Sequence, residues 1–284
     1  MEFARFDINK YSPRQMVVLP LVLLLLAGIL LGYTTLTTGL PLTPGIDFAG
    51  GTAVTAFTSD SRETIEAVFA EYPLLSVGEG IGDGKYIQFG PMEEAQHRSL
   101  VALINEKYPD AKVDQIGETF GKTLQSQAFL ALIFSFIGVA LVIFLAYRNP
   151  ISSGTIVLAA ISDIAITAAA MQVLGIPLSL GTTAALLMLI GYSADSNVLL
   201  TTRLLKRKGK LDEKLSGAFR TGIIMTTTTL AAIAAMWVVT TLGQIQIISA
   251  IASVLIIGLI VDMMNTWMLN AGILKEYILR GGKK

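Results

Sequence analysis

The sequence lacks cysteine and carries little charge. None of its 284 residues is cysteine, and only 15% are Asp, Glu, Lys or Arg, whereas soluble domains carry about 25%. The absence of cysteine excludes disulfides, thiolate nucleophiles and zinc–thiolate sites. Basic and acidic residues each number 21, so no basic surplus indicates a nucleic-acid partner. With 53% hydrophobic residues, the composition is typical of a membrane protein.

Histidine is also nearly absent. His97, in the polar stretch EEAQHRSL, is the one histidine of the chain, and we predict a solvated helix residue there rather than a metal ligand. No serine, threonine or lysine nucleophile stands with a base in a recognisable catalytic pattern. The sequence therefore predicts no enzyme active site, no metal site and no cofactor.

Six runs of residues are long and apolar enough to cross a bilayer, which takes about 20 mainly apolar residues. The first run follows Arg14, and the sequence after it lacks the small-residue cleavage pattern of a signal peptide, so an uncleaved helix is predicted. The predicted membrane-spanning helices are 15–36, 127–147, 154–175, 180–205, 216–242 and 245–273.

Lysine and arginine alternate between the short connections of these helices. Both tails, the connection at Arg148 and the segment 206–214 are basic, whereas the connections LGIPLSLG and TLGQIQ have no basic residue. Because cytoplasmic connections are enriched in Lys and Arg, both tails are predicted to be cytoplasmic. The predicted division is a tail at 1–14, a membrane helix at 15–36, an extracytoplasmic domain at 37–126, five membrane helices within 127–273 and a tail at 274–284.

The segment 37–126 alternates between strand and helix patterns. GTAVTAF, KYIQFG and AKVDQIGETF predict strands by their β-branched and aromatic residues. SRETIEAVFAEY and EEAQHRSLVALINEKY predict helices. Gly80, Gly82 and Gly84 indicate a turn before the second strand. The βαβαβ order predicts a small α+β domain with its helices on one face of a sheet.

Four ionisable residues interrupt the predicted membrane helices: Asp163, Asp195, Arg220 and Asp262. At about 1.5 Å per residue, the three acids lie roughly 13–17 Å from the cytoplasmic edge of a hydrocarbon core about 30 Å thick. Carboxylates at that depth are costly in lipid, so we expect them to face one another, a polar cavity or a partner. Arg220 lies nearer the cytoplasm and is the expected counter-charge of Asp195.

Two interpretations of these residues stay open. Acids within a membrane can form a proton relay or an ion pathway. They can equally form static ion pairs and hydrogen bonds that hold helices together. Asp262 is the better candidate for a structural role, since Asn265 follows it by about one helical turn. Ser196 and Asn197 are supporting polar candidates beside Asp195.

Three motifs resemble the SecF family. GIDFAGGT, with Gly45, Asp47, Gly50 and Gly51, resembles the start of the first extracytoplasmic domain of that family. IGYSADSNVLLTTRLLKR and FRTGIIMTTTT resemble motifs in its fourth and fifth membrane helices. The resemblance covers essentially the whole chain and is closer to archaeal than to bacterial members.

The resemblance implies an α-helical membrane protein of six helices, similar to half of an RND-type transporter, with a small α+β domain between the first two helices. It implies a cell-membrane location, a SecD-like partner, and assistance to polypeptides crossing the Sec channel at the expense of the proton gradient. Asp195, Arg220 and Asp163 are the coupling candidates it implies. Bacterial members have the helix-four acid at the position of Ser196, about 100° around the helix from Asp195.

Other interpretations also stay open. The chain is alternatively a scaffold that stabilises SecD or the channel without transducing energy, or an RND-type exporter of small molecules. The pair Gly50 and Gly51 either permits a hinge or a tight backbone conformation or forms a bulge at the start of a strand. The bulge is the favoured interpretation of the two glycines.

Overall fold

The computed structural model describes residues 10–79, 84–243 and 245–281, which are mostly helical. The predicted turn at Gly80 and Gly82 and the outer parts of both tails lie outside the described residues. The helices are α1 (Pro13–Thr38), α2 (Ile46–Ala49), α3 (Arg62–Val68), α4 (Glu94–Lys107), α5 (Glu118–Tyr147), α6 (Pro150–Val173), α7 (Leu180–Lys206), α8 (Leu211–Leu242), α9 (Gln246–Met264) and α10 (Ala271–Leu279). A π-helical turn, Asn265–Asn270, joins α9 to α10, and the strands are β1 (Gly51–Phe57), β2 (Leu74–Glu79), β3 (Gly84–Phe89) and β4 (Lys112–Ile116).

Six helical spans are long and apolar enough to cross a membrane, as predicted: α1, α5, α6, α7, α8 and the continuous span from α9 to α10. Local sequence sets where several of them begin. Ser12 and Gln15 form a capping box at the start of α1, and Ser179 and Thr182 form another at the start of α7. Asn149 caps α6 ahead of Pro150. The helix α5 begins at Glu118, nine residues before the predicted span 127–147.

The helices differ in how much of their surface the chain itself covers. Half of the most apolar stretch of α6 and of α7 is buried, against 6% for α5 and 17% for α8. The main apolar cluster joins Met171 of α6, Leu186 of α7 and Leu255 of α9. The bundle is therefore built around α6, α7 and α9, and outer helices such as α5 and α8 leave wide apolar faces for lipid or for other chains.

The sheet has four antiparallel strands in the order β2-β3-β1-β4. The three predicted strands are present, but β2 was missed, so the element order is βαββαβ. The strand β2 lies at an edge and pairs with β3, with a register shift between Leu74 and Ser76. Leu75, at that shift, is exposed. Helices α3 and α4 pack with the sheet around one apolar cluster of Val54, Ala56, Ile65, Phe69, Ile87, Phe89, Leu100, Ile104 and Tyr108. His97, on α4, is half-buried rather than solvated.

The sheet domain is tied to one end of the membrane bundle. Gly45 donates its backbone N–H to the carbonyl of Leu178 at 2.7 Å, and Leu178 donates to the carbonyl of Thr43 at 2.8 Å. Leu178 belongs to the short connection between α6 and α7. This ladder holds the segment that follows α1 against the start of the fourth membrane-spanning helix.

Candidate functional site

A buried polar network lies in the middle of the helical bundle, centred on Asp163 of α6. Asp163 is fully buried, and both of its carboxylate oxygens accept hydrogen bonds. Ser193 of α7 donates its hydroxyl to Oδ2. Asn265 of the π-helical turn donates from Nδ2 to Oδ1 at 2.7 Å and to the hydroxyl of Ser162 at 3.0 Å. Three helices therefore meet at this one carboxylate.

A second line of donors reaches Asp163 through α7. Asn270, at the end of the π-helical turn, donates to Oδ1 of Asn197 at 2.6 Å. Asn197 donates to the carbonyl of Ser193 at 2.8 Å and to its hydroxyl at 3.2 Å. Ser193 and Asn197 are four residues apart and so share one face of the helix. Each donor in this line points toward Asp163.

Asp262 of α9 is the second buried carboxyl of the network and a direct neighbour of Asp163. Thr266 donates its hydroxyl to Oδ1 of Asp262 at 3.1 Å, whereas Oδ2 is buried without a hydrogen-bond partner. The expectation that Asn265 would bond to Asp262 was wrong in detail: its amide nitrogen bonds to Asp163 instead. Outside this network lie the ion pairs Arg62–Glu66, Lys112–Asp114, Lys122–Glu118 and Arg280–Glu276.

Asp195 and Arg220 are separate from the network and from each other. Both side chains are exposed, and no ion pair joins them in the described part of the chain. The neighbouring Ser196 is buried instead, because one residue along α7 rotates the side chain by about 100°. Of the three surroundings expected for the membrane acids, Asp163 and Asp262 face each other, whereas the exposed Asp195 faces neither of them. The expected pairing of Asp195 with Arg220 is absent from the described part of the chain.

The contacts of Arg203 show that Asp195 and Arg220 lie at different depths along the bundle. Its guanidinium donates to the carbonyl of Gly217 at 2.7 Å and to the hydroxyl of Thr221 at 2.9 Å. Arg220 therefore lies level with Arg203. Asp195 lies eight residues before Arg203 on α7, about 12 Å away from it along the helix axis. The hydrogen bonds of Arg203 to α8 could not be predicted from the sequence, because Arg203 stands beside the basic cluster at the end of α7 and resembles its residues.

The π-helical turn brings several polar side chains into the bundle at once. Of its six residues, all but Met268 are buried, and they include Asn265, Thr266 and Asn270. Trp267 of the same turn packs so closely on α8 that a β-carbon at Gly222 would overlap its indole ring. π-Helical turns are rare and are frequent at functional sites. This turn places two amides and a hydroxyl within reach of the buried acids.

The predicted motif after α1 fixes the sheet domain on the bundle. Asp47 accepts at Oδ2 from the backbone N–H of Leu180 at 2.9 Å, at the first turn of α7, where a negative charge is favourable. A β-carbon on Gly50 would lie 2.7 Å from Cα of Glu118, and the φ of Gly50 is +80°.

Gly51 begins β1 with a φ of +145°. It pairs with Ile116 without any register shift. Gly50 therefore provides a close approach to α5 and Gly51 a close approach to the backbone of β3 at Phe89. The two glycines provide a tight backbone conformation, and the favoured bulge was wrong.

Comparisons with known proteins agree with this architecture. A family model described as "Protein export membrane protein SecD/SecF, C-terminal" matches residues 96–280. A protein-export membrane protein SecF from Methanolacinia petrolearia is 61% identical over 278 residues, which cover 98% of each chain. The SecF of Pyrococcus furiosus is 40% identical over 286 residues, covering 96% of this chain and 94% of its own.

Two solved structures share the fold. The crystal structure of SecDF from Thermus thermophilus, described as a translocon-associated membrane protein, matches with a TM-score of 0.72 at 21% identity and covers 98% of this chain. A SecDF in a super-membrane-facing form matches with a TM-score of 0.61 at 22% identity over 93% of this chain. The chain spans only 39% and 38% of the lengths of those two proteins. By its family match and its full-length similarity to archaeal SecF proteins, the chain belongs to the SecD/SecF family of protein-export membrane proteins, as a member of the SecF type.

Proposed function

We propose that this multi-pass membrane protein pairs with a SecD-like subunit and assists polypeptides as they cross the membrane through the Sec channel. The observation that carries the proposal is the exposure of Asp195 and Arg220 on two membrane-spanning helices. A charge at the bilayer centre, where the sequence predicts Asp195 to lie, costs at least about 2.5–3.5 kcal/mol when it faces lipid. A second, similar half that covers α7 and α8 removes this cost, and SecDF chains are long enough to contain such a half.

In this proposal the chain is a transport subunit rather than an enzyme, and it needs no cofactor. Both tails face the cytoplasm and the sheet domain lies outside, because Lys and Arg alternate between the short connections. Asp195 meets its counter-charge on the SecD-like partner rather than on this chain. Proton movement at that interface, with Arg220 beside it and Asp163 behind it, supplies the energy for export.

The experiment compares wild type with Asp195→Asn in vesicles that hold the chain, its SecD-like partner and the Sec channel. The completion of protein export is followed with and without an imposed pH gradient. We expect the wild type to export faster with the gradient, and the variant to assemble normally but to lose that acceleration. Asp114→Asn, an exposed acid of the sheet domain, is the matched control and retains the acceleration. An unchanged response of Asp195→Asn to the gradient refutes the coupling.

A second function, a scaffold that stabilises SecD or the channel, is favoured by one specific observation. Asp163 is fully buried and accepts hydrogen bonds from two neighbouring helical segments, as a structural acid does. The scaffold predicts that amide substitutions in the bundle reduce the amount of SecD-like partner that co-purifies. It also predicts that the export remaining per assembled complex responds to the pH gradient as in wild type.

A further inference from the structure

We propose that Asp163 and Asp262 form a proton-binding site inside the bundle, in which the two carboxyl groups hold one proton between them. This site is separate from Asp195 and Arg220, which are exposed. The proton binding is a property of the chain alone. Its part in export, as a buried store that exchanges protons with the partner interface, rests on the proposed function.

The charge of two adjacent buried carboxyl groups favours one bound proton. Both carboxyl groups are fully buried and adjacent. Two carboxylates that share a buried site cannot both be ionised at modest cost, because each raises the energy of the charge on the other. A lysine or arginine partner would remove that difficulty, but the described ion pairs include none at either acid. One bound proton is the simplest way to reduce the charge of the pair from two to one.

Two buried oxygens of the site have no hydrogen-bond donor. Oδ2 of Asp262 is buried and has no hydrogen-bond partner, although a buried polar atom left unpaired costs about 1–3 kcal/mol. Oδ1 of Asn265, beside the same pair, is also buried and unpaired. Two buried acceptors of the site therefore lack a donor. A proton carried by either carboxyl group adds a donor beside them.

The donors already present favour a proton over a metal cation. Ser193 and Asn265 aim their hydrogens at Asp163, and Asn197 aims its amide hydrogens at Ser193. Such donors stabilise the one remaining negative charge. A bound Na⁺ or Ca²⁺ instead needs a shell of oxygen lone pairs directed at it.

The remaining titratable groups on the helices packed against α9 do not supply a substitute charge. Tyr192 packs with the apolar cluster beside α9, and Asp195 and Arg220 are exposed. Arg203 bonds to α8. The others lie in the last turn of α7, in the first turn of α8 or on α10: Lys206, Asp212, Glu213, Lys214, Lys275, Glu276 and Tyr277.

The test is infrared spectroscopy of the purified full chain in lipid nanodiscs, with the side-chain carboxyl of aspartate labelled with ¹³C. A protonated carboxyl has a C=O stretching band that a carboxylate lacks, and the label assigns the band to aspartate. At neutral pH we expect one aspartate band, which disappears in the double variant Asp163→Asn/Asp262→Asn and persists in Asp114→Asn. The absence of an aspartate band in the wild type overturns the proposal.

Two further measurements on the wild type keep the test decisive if the double variant does not fold. The band must decrease as the pH rises and the proton is released. It must also be the same in NaCl and in KCl, because loss of the band in NaCl alone identifies a Na⁺ site and overturns the proton assignment. None of these measurements involves SecD or export, so a positive result stands even if the coupling in export fails.

Discussion

At the scale of single residues, function in this chain depends on which way a side chain points. Asp195 and Ser196 are neighbours on α7, yet one is exposed and the other buried. Asp163 gains its surroundings from Ser193 and Asn265, which lie on two other helical segments. An exposed carboxylate and a carboxylate inside the bundle therefore have different surroundings, although the sequence predicts that both lie near mid-membrane.

Asp47 permits a residue-scale prediction about how the sheet domain is fixed. Asp47→Ala removes the acceptor for the backbone N–H of Leu180 and the charge near the start of α7. We expect the free energy of unfolding to fall by about 0.5–2 kcal/mol, as for other helix-terminal acceptors. We also expect faster amide hydrogen exchange in the first turn of α7. Asp47→Asn keeps an acceptor oxygen and is expected to lose less. Equal exchange in wild type and Asp47→Ala contradicts the prediction.

Tyr108 permits a prediction about pH dependence in the sheet domain. Burial, together with a 2.8 Å hydrogen bond donated to Asp60, raises the pKa of Tyr108 from 10.0 to about 12. A raised pKa means that the stability contributed by the phenolic proton is complete below pH 10 and is lost as the pH rises toward 12. Tyr108→Phe is expected to cost about 1 kcal/mol below pH 10.

Two measurements check this prediction on the full chain. Ultraviolet titration of wild type minus Tyr108→Phe isolates the ionisation of this one tyrosine. Thermal unfolding at pH 8 and at pH 11 then shows whether the difference between the two proteins shrinks at the higher pH. Tyr86→Phe, at a half-buried position of β3, is the control and is expected to show no such change. A Tyr108 that titrates below pH 10 refutes the assignment.

At the scale of elements, the sequence predicts where the helices lie but not how they are rotated. Six apolar runs identify six spans because the length of a membrane helix is set by the bilayer. Rotation is different, because lipid is as apolar as a protein core. On α6, Ile156 is buried and Ile161 is exposed, and nothing in their chemistry distinguishes them. The strand β2 was missed because its sequence, LLSVGE, has adjacent leucines instead of alternation and only one β-branched residue, Val77.

The contact between α8 and the π-helical turn permits a prediction at this scale. Gly222 lies against Trp267 so closely that the methyl group of Gly222→Ala would overlap the indole. We expect the free energy of unfolding to fall by about 1–3 kcal/mol, as for other overpacked sites. We also expect the emission of Trp267 to shift toward the longer wavelengths of a solvent-exposed tryptophan. The measurement uses a Trp237→Phe background, which leaves Trp267 as the only tryptophan.

The matched control for Gly222→Ala is Gly191→Ala on α7. A β-carbon there meets no atom within 4 Å, so the substitution adds a methyl group without a clash and improves helix propensity. We expect an unchanged fluorescence spectrum and equal or slightly higher thermal stability. If the two variants behave alike, α8 does not pack on the π-helical turn as described.

At the scale of the whole molecule, the outer surface of the bundle is mostly apolar, and two exposed charges interrupt it on α7 and α8. The exposed side chains of α1 and α5 are apolar over most of their length, as a lipid-facing surface requires. The surface of α7 and α8 includes Asp195 and Arg220. The family could be predicted from motifs in the sequence, whereas the exposure of these two charges could not, because it depends on the rotation of each helix.

The last prediction identifies the surface that binds the SecD-like partner. The photoreactive residue p-benzoylphenylalanine is placed at Asp195 or at Leu25, an exposed position of α1. Leu25 lies on α1, which contacts α6 and α10, whereas Asp195 lies on α7, which contacts α8 and α9. After illumination of membranes that hold both subunits, we expect a cross-link to the SecD-like subunit from position 195 and at least tenfold less from position 25. Cross-links of equal yield from the two positions, or from position 25 alone, show that the partner does not cover α7 and α8, and the exposed charges then need another explanation.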